Sequence, residues 1–114
     1  MSDPISDAAA RKGSAELLIL AALDERDLHG YDVCRAIARR SDGVLSFRAA
    51  SLYPLLYRLE DRGWIEGRWV ELTGQRRRRV YCLTPEGRSI LGKQRTRWTS
   101  FVQALSRAAG LGRV

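Results

Sequence analysis

Histidine is almost absent from this chain: its 114 residues hold one, His29. That excludes a histidine metal cluster within one chain, and no plausible His-based nucleophile set is found. Cysteine is nearly as scarce. Cys34 and Cys82 lie far apart, without the short spacing of a metal site or the density of a disulfide framework. They read as small buried apolar residues, with redox sensing as the other reading. Long hydrophobic runs are missing too. The longest, Leu17 to Leu23, falls far short of the ~20 residues that cross a bilayer. Residues 1–12 carry no hydrophobic signal segment. A cytoplasmic protein without a membrane partner is expected. No Gly-rich phosphate loop follows a strand, so neither an enzyme nor a cofactor is expected. The adjacent Glu60 and Asp61 fall on different faces of a helix and read as solvated charge.

What is abundant is arginine. Lysine and arginine number 20 against 13 acids, for a net charge of +7, and only Lys12 and Lys93 are lysines. The guanidinium fork matches phosphate better than an ammonium does. The excess lies in the second half: residues 48–82 hold eight bases to four acids, and residues 83–114 six to one. Such a balance suits nucleic acid, an anionic surface or an acidic protein.

Residues 1–12 read as a frayed arm. Ala15 to Leu23 predicts a helix that is apolar on nearly every side, and Asp24 to His29 a polar connection. Gly30 to Arg40 predicts a second helix with Val33, Cys34, Ile37 and Ala38 on one side. Val44 to Phe47 reads as a short extended piece. A third helix spans about Ala49 to Arg62, with Leu52, Leu55, Leu56 and Leu59 as its core stripe and Gly63 as its stop. Pro54 leaves its start open. Either Ser51 is the N-cap, or the helix begins a turn earlier and bends at Pro54. Ile65 to Leu72 and Arg77 to Leu83 read as strands joined by a turn at Thr73–Arg76. Thr84 as N-cap and Pro85 at N1 open a last helix, stopped by Gly110.

Helix, helix, helix, hairpin, helix is the order of a winged helix-turn-helix with a trailing helix. The fold is therefore mainly α with a small β-hairpin: an arm at 1–12, the winged domain at 13–83 and a dimerisation helix at 84–110. Away from the leucine stripe the third helix presents Ser51, Tyr53, Pro54, Tyr57 and Arg58, a face suited to double-stranded DNA. Packing of Tyr53 or Tyr57 against a neighbouring element is the other reading. Arg76, Arg77, Arg78 and Arg79 crowd the wing. Strand alternation turns Arg76 and Arg78 opposite to Arg77 and Arg79, so the four cannot share one phosphate. On the last helix Trp98, Phe101, Val102 and Leu105 form an apolar stripe, extended upstream by Ile90 and Leu91. A homodimer covers it most simply, with Leu17 and Leu20 of the first helix adding to the interface. Trp64 and Trp69 read as core or wing-base residues.

Leu28-His29-Gly30-Tyr31, Ser51-Leu52-Tyr53-Pro54, and Gly74, Arg76, Arg78, Tyr81, Leu83-Thr84 and Gly87 resemble the PadR family of bacterial transcriptional regulators over about residues 14–92. The single helix after the wing is similar to that of its short subfamily. Where members often carry Ser-Pro-Gly before the Leu-Tyr-Pro motif, this chain has Arg48-Ala49-Ala50, and Arg48 adds a potential phosphate contact. The resemblance implies a homodimeric repressor on an inverted-repeat operator, its third helix in the major groove, with Tyr31 counted among the DNA-facing residues. It also implies a small aromatic or drug-like effector, for which Trp98 is either a stacking plate or simple interface packing. A winged-helix protein-interaction module without DNA binding is the rival reading.

Overall fold

The computed structural model describes residues 8–71, 74 and 77–112, with side chains from residue 13 onward. The elements are α1 (Ala8–Glu25), β1 (Leu28–His29), α2 (Gly30–Arg40), α3 (Ala49–Asp61), β2 (Ile65–Glu71), β3 (Arg77–Leu83) and α4 (Pro85–Ala109). α1 begins earlier than the expected arm boundary at residue 12, because Ala8-Ala9-Ala10 are strong helix formers. Of the expected extended piece, Val44 and Leu45 form a bend, and Ser46 and Phe47 have no regular structure. Ser41 explains this: its hydroxyl donates to Ile37 O at 2.9 Å and accepts from Leu45 N at 3.0 Å, curling the link between α2 and α3.

The expected polar connection contains β1. It pairs with β3 at Leu28↔Tyr81 and His29↔Val80, so the sheet has three antiparallel strands in the order β1-β3-β2. Two residues are too few for sequence alternation to reveal. In the hairpin Ile65 pairs with Leu83, Gly67 with Tyr81 and Trp69 with Arg79. One sheet face therefore carries Ile65, Leu83 and Tyr81 into the core and continues outward as Arg79, Trp69 and Arg77.

That core joins Ile19, Leu20 and Leu23 of α1, Val33 and Ile37 of α2, Leu52, Leu56 and Leu59 of α3, and Leu91 of α4. Leu20 and Leu91 are thus enclosed within the protomer, Leu20 completely. This corrects two expectations, since neither side chain remains to meet a second subunit. An all-apolar helix in a four-helix arrangement has neighbours on several sides, and here they belong to the same chain. Leu17 is only half-buried.

α3 starts at Arg48 as N-cap, with Pro54 inside it. Ser51 is consequently a helical residue and not the cap, and of the two starts left open the earlier one is realised. Gly63, at φ +80°, closes α3 with a paired motif: Trp64 N bonds Leu59 O at 3.1 Å and Gly63 N bonds Glu60 O at 3.0 Å. Thr84 then welds three elements. Its hydroxyl donates to Gly63 O at 2.7 Å and accepts from Gly87 N at 3.0 Å, while its N–H bonds Trp64 O at 3.1 Å. A Cβ on Gly87 would stand 1.9 Å from Trp64 O, so only glycine lets α4 start this close to the wing base.

Candidate nucleic-acid interface

The first turn of α3 holds no acidic residue and its N-cap no side-chain bond. Free backbone N–H groups at a positive helix end favour an anion. Around that end Arg48, Ser51 and Pro54 are exposed, and Tyr53 and Arg58 are half-buried. Tyr57 is 53% exposed. Tyr53 leans on the start of α2, where a Cβ on Gly30 would meet its ring at 2.7 Å. Its ring also lies 6.2 Å from that of Tyr57, tilted by 35°. One side of the Tyr53 ring therefore packs, and the other borders solvent. Tyr31 is 57% exposed, with the Arg35 guanidinium 5.9 Å above it.

Facing α3 across an open cleft of about 560 Å³ stands the wing; Tyr53, Tyr57, Glu60, Trp69, Arg77 and Tyr81 are among its lining residues. Trp69, expected in the core or at the wing base, is instead 55% exposed. It lies beyond Ile65 and Gly67 on the sheet face that leaves the core, and two guanidinium groups occupy its ring: Arg77 at 5.1 Å and Arg79 at 5.5 Å. Trp64 does sit at the wing base, half-buried under Arg62 at 4.9 Å.

The wing arginines divide as alternation predicts. Arg77 and Arg79 share the Trp69 side. Arg78 lies opposite, its Nη1 2.8 Å from His29 Nε2. That same nitrogen is 2.8 Å from Asp32 Oδ2, so it serves one partner or the other at a time. Arg79 is bound by Glu60 of α3, whose Oε2 also accepts from Gly67 N at 3.2 Å. Glu60 is therefore not the solvated charge expected; Asp61, its neighbour, is exposed. Glycine in a strand signals close approach of another group, and Gly67 was the available clue, since a Cβ there would stand 2.7 Å from Arg79 Nε. Arg76 lies outside the described residues. Behind Arg79, the Tyr81 hydroxyl is buried, with the Arg79 guanidinium as a polar neighbour but no hydrogen bond of ordinary geometry. Burial pushes its pKa up, and the nearby Arg79 charge offsets this only in part.

At the opposite end, α4 leaves Phe101 55% and Leu105 46% exposed, with Val102 half-buried. Trp98 meets Phe101 edge-on at 5.8 Å. A shallow groove of about 380 Å³ runs beside it, lined by Leu17, Arg95, Trp98, Thr99, Val102 and Gln103. Among the described residues no group of three or more His, Cys, Asp or Glu could hold a metal ion, and no helix is long and apolar enough to cross a membrane.

A helix-turn-helix with an arginine-bearing wing beside its third helix defines a winged helix-turn-helix domain. The PadR-like family of transcriptional regulators matches residues 19–93, and the chain belongs to that family. It is similar to a transcriptional regulator from Clostridium thermocellum, at 27% identity and TM-score 0.79, over 88% of this chain and 97% of that one. A PadR family regulator from Eggerthella lenta aligns at 27% identity and TM-score 0.75, over 89% and 86%. Bacillus subtilis PadR, in a structure with operator DNA, aligns at 26% identity and TM-score 0.65, over 70% of this chain and 45% of that one.

Proposed function

We propose that this regulator is a homodimeric repressor that reads an inverted-repeat operator in double-stranded DNA. The observation that carries the reading is the pairing of two surfaces. Tyr53 and the exposed Tyr57 of α3 stand across one cleft from Arg77 and Trp69 of the wing, and Ser51 and Pro54 are exposed on the same helix. Ser51, Tyr53, Pro54 and Tyr57 meet base edges and thymine methyls, while Arg48 and Arg58 hold phosphates at the helix start and flank. Arg77 and Arg78 grip the backbone beside the groove, and Tyr31 adds a hydroxyl from α2. The similar Bacillus subtilis PadR, in a structure with operator DNA, supports DNA binding by analogy.

The exposed stripe of Phe101 and Leu105, with Trp98 and Val102, pairs with its twin. Two reading helices then meet half-sites about 34 Å apart. The groove beside Trp98 takes a small aromatic effector, whose binding between subunits alters their spacing. The fold carries out this work without turnover, in the cytoplasm.

The test is a titration of duplex recovered from a randomised pool, beside a scrambled duplex, at two salt concentrations. Preference for the selected duplex, weakening steeply with salt, supports the reading. Equal binding to both leaves only a basic surface. Absence of binding to either, together with capture of a protein partner, moves the function to protein interaction.

A further inference from the structure

Beyond the third strand the wing is a bare ribbon. β1 pairs with β3 only at Tyr81 and Val80, so from Arg79 outward the hairpin has two strands, a form that is marginal by itself. Its base is welded through Thr84, but Arg79 lies four residues from Leu83, about 13 Å along the strand. Over that length a small bend at the base becomes a large displacement at the tip. At the point where the third strand gives out, one carboxylate crosses from α3. Glu60 Oε2 accepts from Gly67 N of β2 and from Arg79 of β3, so it holds both strands at once. Gly67 has no side chain in the way, and Arg79 is drawn onto the Trp69 ring.

We propose that Glu60 is a positioning residue for operator recognition: it fixes the angle between the reading helix and the wing, and Arg79 serves Glu60 rather than phosphate. The proposal rests on the DNA-binding reading above.

Electrostatics makes the sign of the effect diagnostic. A carboxylate on a face that meets phosphate opposes binding. If Glu60 were only a charge, removing it would strengthen binding to every duplex alike. If it sets the wing angle, its removal weakens the selected duplex relative to the scrambled one. The experiment compares wild type, Glu60→Ala, Arg79→Ala, the double variant and Glu60→Gln on those two duplexes, with circular dichroism to verify folding at the assay temperature. Each alanine variant is expected to lose about tenfold in preference. The double variant loses no more than Glu60→Ala alone, because Arg79 acts through Glu60. It has the net charge of wild type and matches it on the scrambled duplex. Glu60→Gln keeps an acceptor for both donors and retains most of the preference, which also covers the case of a poorly folded alanine variant. Unchanged preference in Glu60→Ala, or losses that multiply in the double variant, would overturn the proposal while leaving the DNA-binding reading intact. A wild type without preference would overturn both.

Discussion

Gly30 and Tyr53 touch where a side chain would otherwise stand, since a Cβ on Gly30 would lie 2.7 Å from the edge of the Tyr53 ring. The start of α2 thereby sets the direction in which a tyrosine of α3 points. Gly30 and Tyr53 both fall within motifs that carry the family resemblance, and their contact gives those motifs a shared physical cause.

Gly30→Ala is expected to push the Tyr53 ring toward solvent and to cost about 1–3 kcal/mol of stability, the usual penalty of overpacking. A thermal melt measures the cost. Duplex preference falls with it, while binding to scrambled duplex holds. Unchanged preference would mean that the ring's direction is irrelevant to reading.

Two glycines of α4 are expected to respond with opposite signs. Gly87→Ala places a Cβ 1.9 Å from Trp64 O, backbone that cannot swing aside, whereas nothing lies within 4 Å of Gly92. Gly92→Ala should stabilise by about 0.5–1 kcal/mol through helix propensity, and Gly87→Ala should destabilise by several times that. Denaturant titration of the two variants decides it.

Tyr81→Phe removes a buried hydroxyl that lies near Arg79 without a hydrogen bond of ordinary geometry. An unsatisfied buried polar group costs about 1–3 kcal/mol, so the variant should be neutral or more stable at pH 7. The raised Tyr81 pKa adds a pH test. The stability it protects is complete below the ordinary tyrosine value of about 10 and is lost as pH rises through the higher folded value. Wild type should therefore weaken above about pH 10 more than Tyr81→Phe does.

Burial raises the Cys34 thiol pKa, and burial with the Asp27 and Glu66 charges raises that of Cys82. Little thiolate then forms at neutral pH. Alkylation of the folded protein should be slow at both sites and fast in denaturant. Rapid labelling of the native protein would instead favour redox sensing.

Leu105→Glu puts a charge in the exposed stripe of α4. Sedimentation equilibrium should show a monomer, and the salt-dependent binding of isolated protomers should lose its half-site spacing. A variant that stays dimeric would place the interface elsewhere.

The helices, the hairpin and the Thr84 cap were readable because each rests on local rules: the leucine spacing of α3, proline after threonine, glycine after a helix. What escaped was decided by distant partners. Leu20 looks like an interface residue until the core of the same chain encloses it. Trp69 looks like core by composition, but its register places it past Tyr81, the last buried residue on that face, and its partner Gly67. Glu60 looks like surface charge because its partners lie 7 and 19 positions away in sequence. β1 gains its strand character entirely from β3.

Thr84 ties the end of α3, the foot of the wing and the first turn of α4 within one cluster of hydrogen bonds, and Gly87 removes the slack between them. A shaft keyed so closely to its blade does not turn alone. On that coupling, a rotation of α4 is expected to carry α3 with it, without any element of the fold having to melt.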